Sequence, residues 1–268
     1  MSHIHYDLHG PGAAPVVLLL HGLGSSGDDW SQQVPVLTQR YRVLTVDLPG
    51  HHRSPRGVPS VSRMARAVDA LLDTLGIARA HVVGLSLGGC VALALALRAP
   101  DRVRSLVVAN SFARLRPSGF GAALRGATRL ALAVAAPMRV VAGFVAREAF
   151  PRPEDERLRL AAIERIAANP RLDYLATLTA ILRFDVRWRL GEIRCPTLIL
   201  AGALDRTVPM RPKQELANGI RGAQLRVIEN SGHVSPFDQA EAFSRLVLEH
   251  LDRVDRLGED SITILNRN

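Results

Sequence analysis

A chain of 268 residues, 47% hydrophobic and 22% charged, is long enough to bury one large α/β core, with or without an insertion, and lies far from disordered compositions. Its net charge of +9 raises a nucleic-acid partner, but the cations are scattered, Lys213 is the only lysine and aromatics are only 4%, so no basic run with stacking platforms supports that partner. Two cysteines, Cys90 and Cys195, are too few for a disulfide framework and lack metal-ligand spacing, so they read as buried thiols.

Residues 1–10, MSHIHYDLHG, have neither the cationic start nor the apolar stretch of a secretory signal, and a cytoplasmic location is expected. His3–Leu8 is predicted as an edge strand, with His3 and His5 on one face as a solvated edge rather than a metal site. Apolar runs recur at Val16–His21, Arg42–Asp47, His81–Leu85, Val103–Asn110, Thr197–Gly202 and Gln224–Ile228. Each closes near Gly, Asp, Asn or Ser, as buried parallel strands do. Between them, Trp30–Gln39, Val61–Leu75, Gly88–Ala99, Arg211–Asn218 and Gln239–Val254 have the length and periodicity of amphipathic helices. This alternation predicts an α/β fold, a mostly parallel central sheet with helices on both faces.

The alternation breaks once. From about Ser111 to Leu190 no strand pattern appears, and helical stretches are separated by Pro117-Ser118-Gly119, Pro151-Arg152-Pro153 and Asn169-Pro170. The longest apolar stretch there, Leu130–Ala146, is interrupted by Pro137, Arg139 and Gly143 and falls short of the ~20 residues a membrane-spanning helix needs. The expected organisation is a core of residues 1–110 and 191–257, a helical cap at 111–190, and a tail at 258–268 that is either an ordered extension or frayed.

The strongest chemical signal is Gly84-Leu85-Ser86-Leu87-Gly88. A Gly-x-Ser-x-Gly turn between a buried strand and a helix exposes the serine at the carboxyl edge of the sheet. The helix N-terminus then aims free amides at the place where an oxyanion would form. Because a serine hydroxyl is a poor nucleophile, it needs a base, and the base needs an orienting acid. Asp205 stands just after the strand Thr197–Gly202, and His233 stands in the loop Asn230-Ser231-Gly232-His233-Val234 after the last strand. Ser86, Asp205 and His233 therefore form the candidate triad, in the Ser…Asp…His order of this turn type.

The amides of Leu87 and of Leu23, within His21-Gly22-Leu23-Gly24, are the candidate oxyanion donors. Gly22, Gly24, Trp30, Trp188, Val208 and Val234 are candidate substrate contacts, although either tryptophan could equally pack a helix. His21 is read as fixing its own loop, and Asp47 as capping its loop rather than replacing Asp205. Arg114, Arg116, Arg183, Arg187 and Arg189 read as a solvated helical face from which one could meet a substrate carboxylate. The triad calls for no metal and no organic cofactor.

His21-Gly22-Leu23-Gly24, Asp47-Leu48-Pro49-Gly50 with Ser54, the serine turn, Gly202-x-x-Asp205 with Val208-Pro209, and Gly232-His233 together resemble the α/β-hydrolase superfamily. The resemblance covers residues 1–110 and 191–255. Within that superfamily the chain is similar to the small capped bacterial branch of carboxylesterases, lactonases such as 3-oxoadipate enol-lactonases, carbon-carbon bond hydrolases and cofactor-free haloperoxidases. Ser86 at the nucleophile position argues against the Asp-nucleophile dehalogenases and epoxide hydrolases of that branch. The resemblance implies hydrolysis of a small or medium carboxylic ester or lactone through an acyl-enzyme. The partner is then a small molecule, with no nucleic acid and no membrane span, and the oligomeric state is left open.

Three alternatives stand beside it. They are carbon-carbon hydrolysis of a vinylogous diketone, against which Leu87 leans where methionine is frequent; a peroxide-dependent perhydrolase or haloperoxidase; and a non-catalytic receptor retaining the triad. Two residues depart from the family pattern. His52 stands where glycine is usual, which questions the backbone there. Asp238-Gln239-Ala240 replaces Glu-x-Pro and is read as a changed helix start without catalytic cost.

Overall fold

The computed structural model describes residues 4–56, 60–116 and 119–265, with side chains as far as residue 257. His3, Pro117, Ser118 and the last three residues of the expected tail lie outside the described residues. The strands are β1 (Tyr6–His9), β2 (Val16–Leu20), β3 (Arg42–Val46), β4 (Ala80–Leu85), β5 (Val103–Ala109), β6 (Thr197–Gly202) and β7 (Gln224–Ile228). They form one seven-stranded sheet in the order β1-β3-β2-β4-β5-β6-β7. Only β1 is antiparallel to its neighbour, pairing Tyr6 with Val46 and His9 with Val43, and it occupies an edge as expected. The other six strands run parallel.

The helices are α1 (Val34–Leu37), α2 (Val61–Thr74), α3 (Leu87–Arg98), α4 (Phe120–Ala135), α5 (Met138–Ala149), α6 (Glu156–Ala167), α7 (Arg171–Leu182), α8 (Met210–Gly219), α9 (Ser235–Asp238) and α10 (Ala240–Leu265). Every residue of β2, β4 and β6 is buried, which is why these strands read as unbroken apolar runs. Their side chains alternate between two cores. Leu18, Leu20 and Val82 face α2 and α3 through Met64, Val68, Leu72 and Val91, while Val17, Leu19 and Val83 face Phe243, Val247 and Leu251 of α10. Ser60 caps α2 by accepting from the Arg63 amide at 3.1 Å. The buried residues Val61, Met64, Ala65, Val68, Leu71 and Leu72 then recur every three or four positions.

Two expectations are corrected. The single helix expected at Trp30–Gln39 is a 3₁₀ turn at Gly27–Trp30 followed by the one-turn α1. Pro35 has no amide to bond back to Ser31, and its ring would clash with that carbonyl, so a helix can restart there but cannot run through. The last helix does not stop near Val254 but continues to Leu265, so the described part of the tail is helical. Only Gly258 opposes it, and an interior glycine costs a helix about 1 kcal/mol, which leaves the helix intact.

Between β5 and β6 the chain runs through α4, α5, α6 and α7. These pack on a small core of their own made of Ala133, Val141, Ala142, Ile166, Tyr174 and Leu178. Pro137 and Pro170 stand immediately before α5 and α7, where a missing amide is harmless. Among the described residues no helix is long and apolar enough to cross a membrane.

Candidate active site

The turn carrying Ser86 is built by close backbone approach. A Cβ on Gly84 would collide with the Gly88 carbonyl, and one on Gly88 with the Leu20 carbonyl of the neighbouring strand, so both positions exclude larger residues. Ser86 itself takes φ 52° and ψ −112°, a conformation costing ~1–3 kcal/mol that persists only where surroundings fix it. They do so here: the Ser86 amide donates to the Ala109 carbonyl at 2.9 Å, and its carbonyl accepts from the Ser111 hydroxyl at 2.7 Å. Leu87 is the first residue of α3, so its amide has no intrahelical acceptor. The Gly22 loop lies alongside, its Cα bare at the point where a Cβ would come to 3.7 Å from the Ser86 Cβ.

His233 and Asp205 meet directly. The His233 Nδ1 lies 3.1 Å and 3.0 Å from the two Asp205 oxygens, which makes Nδ1–H the donor and leaves Nε2 as the free acceptor. The Thr207 and Val208 amides donate to Asp205 Oδ1 at 2.9 Å and 3.0 Å, and the Lys213 ammonium donates to Oδ2 at 2.7 Å. Burial alone would raise the Asp205 carboxyl, but the His233 ring and the Lys213 ammonium outweigh it and hold it below the usual carboxylate range. Ser86 and His233 share the wall of one cavity, where the Ser86 hydroxyl has no hydrogen-bond partner among the described residues. A hydroxyl and base that tighten only around a substrate are common in unliganded sites.

The cavity measures about 440 Å³. Its floor includes Gly22, Leu23, Gly24, Val208 and Val234, all placed there by the sequence, and its roof includes Leu130, Phe144, Leu158, Ile166 and Leu178. The two tryptophans are corrected. Trp30 is 1% exposed and packs on Phe243 in the core below the sheet, whereas Trp188 is 79% exposed under the Arg189 guanidinium. Neither lines the cavity, because one serves the core and the other sits on a surface turn outside the helical roof.

The loops behind the site are tied by groups the sequence placed and by others it did not. His21 donates from Nδ1 to the Gly22 carbonyl at 2.7 Å and accepts at Nε2 from the Leu48 amide at 2.9 Å, which joins the two loops as expected. Burial, aided by nearby His51, pushes its ring down to about 3, so it stays neutral and keeps its acceptor. Asp47 accepts from the Gly27 amide at 2.8 Å and from Arg53 Nε at 2.8 Å, fixing its loop, and makes no bond to His233. His52 does adopt the glycine-like φ of 43°, with its ring 3.3 Å from Asp47 Oδ2.

Three functional residues were missed by the sequence reading. Asn110, at φ 46°, donates to the His233 carbonyl at 2.9 Å and accepts from the Gly202 amide at 2.8 Å. It therefore ties the end of β5 to both β6 and the histidine loop. Asp238 is more than a changed helix start, since its carboxylate accepts from the Gly232 amide at 2.5 Å and the Ser231 hydroxyl at 2.8 Å. Lys213 is the third. Its signal was available: it is the sole lysine of an arginine-rich chain.

Of the five arginines singled out in the insertion, Arg114 and Arg187 share Asp185 and Arg189 pairs with Glu192. Only Arg116 among them reaches the cavity wall, joined there by Arg125, Arg129, Arg165 and Arg206. Arg125 pairs with Glu148 at 3.1 Å, Arg129 donates to the Tyr174 hydroxyl at 2.7 Å, and Arg165 pairs with Asp29. Arg116 and Arg206 have no carboxylate partner among the described residues.

A parallel sheet with a serine at a strained strand-to-helix turn is matched by the alpha/beta hydrolase fold family over residues 15–240. The chain belongs to that family. This hydrolase is 36% identical to the putative carbamate hydrolase RutD of Stutzerimonas stutzeri (strain A1501), over 92% of this chain and 96% of that protein. It is 35% identical to 2-hydroxy-6-oxononadienedioate/2-hydroxy-6-oxononatrienedioate hydrolase 2 of Pseudomonas putida, over 92% of this chain and 91% of that protein. Among solved structures it resembles the enol-lactonase from Burkholderia xenovorans LB400, with a TM-score of 0.85 and 30% identity over 93% of this chain and 96% of that one.

Proposed function

We propose that this hydrolase cleaves a small or medium carboxylic ester or lactone by acyl transfer through Ser86. The observation that carries the reading is the locked pair of His233 Nδ1 and Asp205, in a cavity that Ser86 also lines. His233 Nε2 takes the Ser86 proton as Oγ attacks the substrate carbonyl, and the Leu23 and Leu87 amides stabilise the resulting oxyanion. Collapse expels the leaving alcohol, which receives that proton from His233. Water then attacks the acyl-serine with His233 as base, and the acid is released. Asp205 keeps the tautomer and stabilises the imidazolium. Substrate and water are the only reactants required.

A cavity of about 440 Å³ suits a small organic molecule rather than a polymer. Its largely aliphatic roof favours an apolar acyl chain, and Arg116 and Arg206 would accommodate an anionic group at its far end. The same attack on a carbonyl would serve carbon-carbon cleavage, a reading favoured by the 35% identity to the Pseudomonas putida hydrolase.

A fluorophosphonate probe followed by a p-nitrophenyl ester series, a lactone and a vinylogous diketone tests both readings. Wild type is expected to label and to hydrolyse esters, and Ser86→Ala to lose labelling and about 10⁵-fold in kcat. Labelling that survives in Ser86→Ala overturns the nucleophile. Labelling without ester or lactone turnover, but with diketone turnover, transfers the assignment to carbon-carbon hydrolysis.

A further inference from the structure

Lys213 occupies a position where an apolar residue is the default. On α8 the buried side chains are Pro212, Lys213 and Leu216, the face that packs toward the sheet. Lysine is among the residues least often fully buried unless paired, yet here both it and Asp205 have 0% side-chain exposure, with Nζ 2.7 Å from Oδ2. It is the only lysine in the sequence. Asp205 does not need it to satisfy its oxygens, because two backbone amides and the His233 ring already donate to them. A buried ammonium kept at this point therefore calls for a reason beyond hydrogen-bond satisfaction.

Electrostatics supplies one. A buried carboxylate beside an imidazole favours the imidazolium. An uncompensated Asp205 would thus tend to protonate His233 before substrate arrives and leave it no site for the Ser86 proton. An ammonium on the same carboxylate, 2.7 Å from Oδ2, offsets that pull while the ring keeps its own contacts with both oxygens. We propose that Lys213 is a positioning residue of the triad: acting through Asp205, it fixes the carboxylate and offsets its charge, limiting the carboxylate's pull on the proton acceptor His233. Lysine suits this task because its compact ammonium makes one short bond to one oxygen, Oδ2, rather than forking across both oxygens that His233 also meets.

The other charged groups around the site do not duplicate this role. Arg206 follows Asp205 in the chain but lines the open cavity. Asp238 engages Ser231 and Gly232 and feels Arg152 and Asp155. Glu148 on α5 is held by Arg125. Among the described residues, Lys213 is the one cation in an ion pair with Asp205 besides the His233 ring itself.

The inference rests on the triad reading above, and its test separates the two. In Lys213→Met the acid limb of kcat/KM for a p-nitrophenyl ester is expected to rise by about one pH unit. On the wild-type acid slope the variant is then about tenfold slower, and the gap narrows toward alkaline pH. Lys213→Arg should bring the limb back part of the way. A uniform fall in rate with an unmoved limb would mean that Lys213 is only a packing element, and overturns the inference.

Wild type offers a readout that no folding defect can spoil. Lysine labelled with ¹³C at Cε gives a single side-chain resonance, which should shift in a step at the pH of the acid limb. Its failure to move there also overturns the inference. Either negative result, obtained while Ser86→Ala abolishes fluorophosphonate labelling, leaves the triad standing. Labelling that persists in Ser86→Ala fails the triad itself.

Discussion

α3 begins just after Ser86 at the cavity wall and α4 lines that wall, yet ten of the twelve residues of α3 are buried and only one of the sixteen of α4, Ala133. α3 is wedged between the sheet and α2. α4 carries Phe120 at 84% exposure and Leu124 at 58%, and its arginines turn to Glu148 and Tyr174. The carboxyl edge of the sheet is fixed by backbone contacts, whereas the roof is held by side chains on a small core. The lesson is a division of labour: the reacting groups sit where nothing can shift, and the groups that meet the substrate's variable part sit where repacking is cheap.

The sharpest way to break that contrast is at Gly88. Gly88→Ala places a methyl against the Leu20 carbonyl, where backbone cannot yield, so a loss of at least about 4 kcal/mol is expected. Urea unfolding checks it, and a variant of near wild-type stability would show that the turn has slack. An intermediate effect is expected from acid. His21, lowered from 6.5 to about 3 in the folded protein, binds fewer protons there than in the unfolded chain. Its contribution is therefore complete above pH 6.5 and is lost as pH falls toward 3, at up to about 1.4 kcal/mol per pH unit. His21→Gln should flatten the pH dependence of the urea midpoint across this window, and an unchanged slope would remove His21 from the account. The smallest effect belongs to the roof. Phe144→Ala should change the ester chain-length preference by about 10- to 200-fold in kcat/KM, with fluorophosphonate labelling at the wild-type rate. A loss of labelling would mean that the roof, too, positions the reacting groups.

The contrast also explains what could be read from the sequence. β6 and β7 are predicted to the residue: β6 is a fully buried apolar run bounded by turn formers, whereas β7, buried only at Ile228, is marked by Leu225, Val227 and Ile228 alternating with or flanking polar residues between turn formers. Asp205 is the first titratable residue beyond β6, and His233 is the one histidine in the loop between β7 and α9. Asn110 and Asp238 were opaque for the opposite reason. A single Asn110 amide bonds residues 92 and 123 positions away, and no local pattern encodes such a partner. Asp238 looked like a helix start because its bond to Gly232 depends on how the loop folds back. Trp30 and Trp188 could not be told apart, since both sit in short 3₁₀ segments that have no periodicity to show an inner face. α7 is apolar around most of its circumference, with Tyr174, Thr177, Leu178, Ala180 and Ile181 all buried, so its pattern named a helix but not a wall.

The end of α5 carries one more implication. The Ala149 carbonyl accepts from the His233 amide at 2.8 Å, and Gly232 has no room for a side chain between that carbonyl and Pro151. The roof is thus pinned to the histidine loop, as it is to the loop after β2 through Asn169 on the Gly24 carbonyl and Arg165 on Asp29. It cannot swing open as a rigid flap without dragging His233 away from Ser86. α4, with Ala133 as its one buried residue, makes no such bond to the histidine loop among the described residues.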